Sequence, residues 1–486
     1  MKNIIFKITM LVVLAGTIVS CDKQLDQLPF DGLATDNAFV SVDDFENGIR
    51  GVYIALVRVG RDGSTSTGYY GASDAGALLS APDVMSDNVT MAISGRTSKS
   101  TIHNFRYSPS QSNLGNLYRD AYSLIYRANQ VLFFAETFEG ENKTNIVAEA
   151  KALRAMAHFD LVKNFGKIPT QSGDANGSLG VAYVTEADPN ITPERETVGA
   201  VYGKIVTDLT DAVAGINVTN DPGRLNRNAV NLLLSRVYLY MGQWQNSIDA
   251  ANAVTTSVAA RANVVNVWDD SSQDGLIFSI PNEASVLNAG VGVTWSQGPL
   301  SGTFLPEYAV SFELFNTYSA DDIRKAAYIT FGTDSNGKDY NAIRKLLGKT
   351  GQTNGVVDIK IFRAAEAKLN KAEALFNLGS EVPARNALDE VRSRRYTAPP
   401  SGETGTALRD AIRLERRLEF AFEYQRFYDL KRWGLPIERT NAGDEADGTG
   451  VPSEILTLSA GSTKFQLPID QGIIDSNNNI VQNPGY

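Results

Sequence analysis

Two segments of this chain carry the same pattern of small residues, and that pattern limits the fold more than any other feature. Leu232, Ser235, Tyr238, Gly242, Ser247, Ala251 and Val254 lie without a gap on Leu369, Ala372, Leu375, Gly379, Ala384, Leu388 and Val391. In each copy a helical run ends at a glycine, a short turn follows, and a second helical run faces back. Two antiparallel helices approach closely only where the side chains between them are short. Such a hairpin cannot bury its apolar face alone, so it must stack on neighbouring hairpins.

Helical periodicity elsewhere supplies those neighbours. It marks helices over about 41–59, 113–137, 145–165, 198–216, 229–241, 244–257, 362–378, 383–395 and 407–433. The hairpin spacing resembles a tetratricopeptide pair, whose period is about 34 residues. Between the helices, 60–112, 260–355 and 434–486 are rich in Gly, Ser, Thr, Asn and short β-branched runs, with a strand expected at Leu276–Ile280. The expected fold class is mainly α, a tetratricopeptide-like helical-repeat scaffold carrying an irregular α/β ligand-binding region. Long loops of this kind in a compact protein are usually functional or disordered.

The chain has one cysteine and two histidines, so a disulfide framework within it is impossible and a Cys/His zinc site nearly so. That cysteine, Cys21, follows Lys2, Lys7, an apolar stretch from Ile8 to Val19, and the small-residue sequence Ile18-Val19-Ser20. The apolar stretch is short for a membrane span, which takes about 20 residues. It reads as the core of a secretion signal over residues 1–20, with 21–486 as the mature domain. The segment resembles a bacterial lipobox, in which Cys21 is acylated and becomes the new N-terminus. Several acyl chains on one residue anchor a protein stably where one chain binds only marginally. Loss of Lys2 and Lys7 takes the net charge from −10 to −12. An acidic chain of this kind is a poor partner for nucleic acid, whose phosphates need clustered cations.

Longer motifs then narrow the field. Tyr118-Arg119-Asp120-Ala121-Tyr122 leads to Arg127-Ala128-Asn129-Gln130. Glu149-Ala150-Lys151-Ala152-Leu153-Arg154-Ala155 leads to Phe165-Gly166-Lys167-Ile168-Pro169. Glu415-Arg416-Arg417-Leu418-Glu419 continues through Glu423 and Arg426 to Arg432-Trp433, and the chain ends Gln482-Asn483-Pro484-Gly485-Tyr486. Taken together these blocks resemble the SusD/RagB family of outer-membrane lipoproteins over essentially the whole mature chain. The resemblance implies a lipid-anchored protein of the outer membrane, facing the cell exterior, that binds an oligosaccharide. It also implies delivery of that ligand to a SusC-like TonB-dependent transporter, with no catalysis and no cofactor. The RagB side of the family implies a peptide ligand as the alternative. A surface glycosidase acting through two carboxylates is the least favoured reading.

The family resemblance transfers site residues poorly, because ligand loops are its least patterned part. Sugar binding needs rings that stack on pyranose faces and polar groups that bond hydroxyls. Region 60–112 offers Tyr69, Tyr70, Phe105 and Tyr107 beside Asp87, Asn88 and Arg96, and Trp295 sits in the glycine-rich stretch Gly290–Gly298. The expected ligand-binding residues are therefore Trp295, Tyr69, Tyr70, Asn88, Arg96 and Tyr107. Trp244, Trp268 and Trp433 read as packing. Asp334-Ser335-Asn336-Gly337 starts like a calcium loop but then fails, with Lys338 and Asp339 at the next positions, and reads as a turn. Arg416 is placed to reach Glu419, and Arg426 to reach Asp429, at three-residue spacing on one long buried helix. Those charges, with Glu415 and Glu423, read as a paired structural network rather than a reaction centre.

Overall fold

The computed structural model describes residues 38–57, 70, 78–93, 95, 97–110, 115–283, 290–293, 295 and 306–486. The first helix among the described residues, α1 (Val42–Ile54), starts where Ser41 and Asp44 cap each other. The Asp44 amide donates to the Ser41 hydroxyl at 3.2 Å, and the Ser41 amide donates back to the Asp44 carboxylate at 2.9 Å. Helices α2 (Gly115–Ala135), α3 (Lys143–Phe165), α4 (Val198–Gly215), α5 (Arg227–Tyr240) and α6 (Trp244–Asn252) then pack each on the next. Helix α6 packs on α7 (Ala364–Asn377), which pairs with α8 (Glu381–Arg392), and α9 (Gly405–Phe420) lies against both. The molecule is therefore a stack of helical hairpins, the tetratricopeptide-like scaffold that the repeat implies.

The repeated small residues sit at the closest approaches. Ser235 on α5 and Ser247 on α6 each donate a hydroxyl hydrogen bond to the other's carbonyl, at 3.1 and 2.8 Å. In the second copy Ala372 and Ala384 take those places, both fully buried. The turns need glycine: Gly242 and Gly379 have φ of +71° and +76°, a region that a Cβ disfavours.

Helix α3 is buried on nearly every side, so its polar groups must be paired. Glu149 accepts from the Tyr53 hydroxyl at 2.6 Å and from Arg224 at 2.9 and 2.6 Å. Arg154 donates to both oxygens of Asp208, at 2.7 and 2.8 Å. His158 stacks on Tyr183 with centroids 3.8 Å apart, and its two nitrogens meet the Arg154 carbonyl and the Val184 amide. Burial lowers its pKa to about 3, which keeps the ring neutral.

The rest of the chain forms small sheets beside the stack. Strands β1 (Val89–Met91), β3 (Tyr308–Val310), β5 (Asp339–Ile343) and β4 (Ile329–Thr333) make an antiparallel sheet in that order. Val89 pairs with Val310, Ala309 with Ala342, and Phe331 with Asn341. The β4–β5 hairpin closes at Asp334–Gly337, where the Asp334 carboxylate accepts from the amides of Asn336 and Lys338 at 2.8 and 3.0 Å. Strand β2 (Leu276–Ile280) pairs with β6 (Ile359–Arg363), and β7 (Ile437–Glu438) with β8 (Thr457–Leu458).

Two expectations need correction here. The segment 407–433 is not one helix: α9 ends at Phe420 and α10 (Arg426–Arg432) starts after a turn. Phe422 and Tyr424 have φ of +65° and +56°, and their amides donate to the buried Asp83 carboxylate at 3.1 and 2.6 Å. Those two bonds, made by a residue far off in sequence, hold a left-handed turn that neither side chain favours. The three-residue ion pairs are also replaced by long-range ones. Arg416 bonds Asp429 at 3.2 Å and Asn370 at 2.8 Å, while Arg426 grips Asp87 with two bonds of 2.8 Å.

Glu419 lies at the centre of this network. It accepts two bonds of 2.8 Å from Arg395, one of 2.8 Å from Arg363 and one of 3.2 Å from Arg324. Burial alone would raise its pKa, but Arg395 and Arg363 hold it well below the usual carboxylate range. Glu415 pairs with Arg324 and Arg392, and Glu423 with Arg363 and Lys345. All three glutamates are buried. They stitch the stack to β6 and the short helix Ile323–Tyr328.

Candidate functional site

The aromatic residues expected at a ligand site in the irregular segments pack against the rest of the protein. Trp295 is 0% exposed, with Tyr308 and Phe422 at ring distances of 6.5 and 6.2 Å. Tyr70 donates its hydroxyl to Asp160 on α3 at 2.9 Å and sets its ring edge against Tyr424 at 6.1 Å. Tyr107 donates its hydroxyl to the Lys464 carbonyl, and the Lys464 amine lies 5.3 Å above its ring. Asn88 is 0% exposed: its amide donates to Asp83 at 2.9 Å and its carbonyl accepts from Arg417 at 3.0 Å.

Trp295, Tyr70, Asn88 and Tyr107, expected to face a ligand, instead lie buried in the protein. A large ring removes some 150–250 Å² of surface from water on burial, a strong inward bias once a core is within reach. The polar atoms of Tyr70, Asn88 and Tyr107 are already bonded to the protein. Three further expectations, Cys21, Tyr69 and Arg96, lie outside the described residues.

The exposed edge of the β1–β3–β5–β4 sheet carries a different set of residues. Phe331, on the edge strand β4, is 64% exposed, and it is a ring the sequence reading did not single out. Its neighbours in the register explain the orientation: Gly332 pairs with buried Tyr340, so alternation turns Phe331 to the other face, beside Asn341. The signal was available in Ile329-Thr330-Phe331-Gly332-Thr333, an alternating run that ends at a turn.

The loop after β7 covers part of this same face. Ala446 accepts from the Asn341 amide at 2.9 Å, and Glu445 accepts from Lys338 at 2.8 Å. The Asp444 carboxylate accepts from the amides of Ile93 and Val451, at 2.9 and 2.7 Å, tying the β1 side to this loop. Ile93 and Val451 are themselves 47% and 43% exposed. Thr333 and Asp339 add a hydroxyl and a carboxylate beside Phe331, bonded to each other at 2.7 Å. A ring flanked by hydroxyl, carboxylate and ammonium groups suits a ligand with alternating apolar faces and hydroxyls.

Deeper hollows lie on the helical side. One cleft of about 490 Å³ runs along Tyr118, Tyr122 and Tyr126 of α2. Another, of about 330 Å³, opens between Trp244 and Trp433. Among the described residues no three His, Cys, Asp or Glu side chains converge on a metal-sized site. No described helix is long and apolar enough to cross a membrane.

Comparison with known proteins bears on this arrangement. A family profile described as "SusD family" matches residues 316–486, and one described as "Starch-binding associating with outer membrane" matches residues 65–239. The SusD-like protein P2 of Formosa agariphila is 26% identical, with 99% of each chain covered. A crystal structure of a SusD superfamily protein from Bacteroides thetaiotaomicron superposes with a TM-score of 0.80 at 26% identity, covering 92% of this chain and 100% of that one. A laminarin-binding SusD-like protein superposes with a TM-score of 0.71 at 23% identity, covering 92% of this chain and 100% of that one.

Proposed function

This chain belongs to the SusD/RagB family, and on that premise we propose that it is a surface lipoprotein that captures a glycan. In this reading the glycan passes to a SusC-like TonB-dependent transporter, and acylated Cys21 holds the protein at the outer membrane. The observation that carries the proposal is the end-to-end correspondence with SusD-like proteins, including the starch-binding profile over 65–239. The division of the molecule supports it. The hairpin stack is sealed by buried ion pairs, whereas the loop face carries Phe331 among polar groups that can bond hydroxyls. The ligand is gripped by ring stacking and hydroxyl pairing and leaves chemically unchanged.

Isothermal titration of the mature protein against a panel of polysaccharides tests this reading. Saturable binding to at least one neutral glycan, with the glycan recovered intact, is the expected outcome. Silence across the panel overturns the sugar assignment, and binding of peptides in its place favours the RagB-like alternative. Delivery is tested separately, by co-purification of a TonB-dependent barrel with the lipidated protein from outer membranes.

A further inference from the structure

The cleft between Trp244 and Trp433 lies on the helix stack, remote in the fold from the β-sheet face, and its chemistry is not explained by packing. Trp433 is fixed by its indole nitrogen, which donates to Glu373 at 2.8 Å. Two guanidiniums lie over that ring, those of Arg432 and Arg413, each 4.8 Å from its centroid. Arg432 is fully committed: it donates to both oxygens of Glu373 and to Asp429. Arg413 forms no hydrogen bond or ion pair with any described residue, although it is half-buried. One turn earlier on α9, Arg409 lines the same cleft and bonds only its neighbour Asp410.

Arg409 is matched by Asp410, and Arg432 by Glu373 and Asp429, which leaves Arg413 as the arginine of this hollow without an ion pair among the described residues. Like charges one turn apart on a helix repel, a cost that a bound anion would relieve. The Thr170 hydroxyl is buried at the wall of the same cleft without a partner. Asn377 adds an amide, and the half-buried Trp244 lies opposite as an aromatic wall. The cleft measures about 330 Å³.

We propose that this cleft is a second carbohydrate subsite, specific for a carboxylated sugar residue, a uronate. The carboxylate takes the planar fork of Arg413, with Arg409 beside it, in the two-bond geometry that guanidinium and carboxylate share. The pyranose face lies on Trp244, and its hydroxyls bond Asn377 and Thr170. A neutral sugar offers Arg413 no carboxylate and is not held in this hollow, so discrimination comes from the charge.

The test titrates the mature protein with an oligogalacturonide and with a neutral maltooligosaccharide, following tryptophan fluorescence. The oligogalacturonide is expected to bind, more weakly as salt rises. Arg413→Gln and Trp244→Ala are each expected to weaken it by about tenfold or more, while Phe331→Ala leaves it unchanged. Arg413→Gln keeps a half-exposed site on an intact helix, so it separates lost binding from lost folding. Absence of binding by any uronate oligomer overturns the proposal, as does equal binding by wild type and Arg413→Gln. Arg413-dependent binding of a peptide C-terminal carboxylate without uronate binding also overturns it. Because Phe331→Ala reports on the loop face alone, failure there leaves this subsite standing, and the reverse holds too.

Discussion

Replacing Glu419 by Gln keeps the shape of a fully buried side chain and removes one charge. In the native fold that charge receives four hydrogen bonds from Arg395, Arg363 and Arg324. The glutamine carboxamide can accept at one oxygen only, and its NH2 group turns donors toward guanidinium donors. Breaking a buried ion pair from one side costs about 3–5 kcal/mol, because the partner charges stay buried without compensation. Unfolding entropy is about 2.1 cal/mol/K per residue, so for a chain of this length the loss lowers Tm by about 3–5 °C. Differential scanning calorimetry of wild type, Glu419→Gln and the exposed control Glu438→Gln reads this directly. The control should shift by less than about 0.5 kcal/mol, and glycan affinity at a temperature where both are folded should be unchanged. A Glu419→Gln protein that melts with wild type but loses ligand binding or shows a changed reaction would refute the structural reading of this glutamate.

Burial raises the pKa of Asp83 to about 6, although Asn88 and the amides of Tyr424 and Phe422 bond its carboxylate. The folded state then holds this proton more tightly than the unfolded chain. Its contribution to stability is complete below the ordinary carboxylate pKa and is lost as pH rises through about 6. The stability advantage of wild type over Asp83→Asn should therefore shrink by about 2 kcal/mol between pH 4 and pH 7, as read by urea unfolding at each pH. A difference that stays constant across this range would contradict the assignment. Trp295→Ala should cost about 3–5 kcal/mol in stability, as expected for a large ring removed from the core. Phe331→Ala should leave the melting curve nearly unchanged and weaken glycan binding, so the two variants test which ring faces the ligand. Gly379→Ala places a Cβ in open space but at φ of +76°. It should destabilise by about 1–2 kcal/mol through backbone strain alone, measurable by chemical denaturation.

The hairpin stack was legible because its signals are local: a helical period, small residues at fixed offsets, and glycines at the turns. Ranges read as 198–216 and 383–395 correspond to α4 at Val198–Gly215 and α8 at Glu381–Arg392, and the strand Leu276–Ile280 has the bounds read for it. What the sequence did not disclose depends on residues far apart in the chain. The break after Phe420 has no glycine or proline to announce it, because the left-handed turn is held by Asp83 from the other end of the sequence. Helical spacing offered Glu419 to Arg416, but the folded chain brings Asp429 and Asn370 closer, and geometry within one helix cannot foresee that. Trp295 on a glycine-rich stretch looked exposed for the same reason. Its burial comes from Tyr308 and Phe422, which only the tertiary fold places beside it. Phe331 was within reach, since strand alternation next to a turn already assigned it a face.

The division of labour between a silent helical frame and a ligand-gripping loop face is tested most directly by hydrogen–deuterium exchange with and without a saturating neutral glycan. Slower exchange is expected in the peptides spanning 78–107, 306–343 and 437–458. Those covering α3 through α6 and α7 through α8 should exchange at unchanged rates. Protection centred on the hairpin stack, with the loop-face peptides unaffected, would place the ligand on the frame and contradict that division.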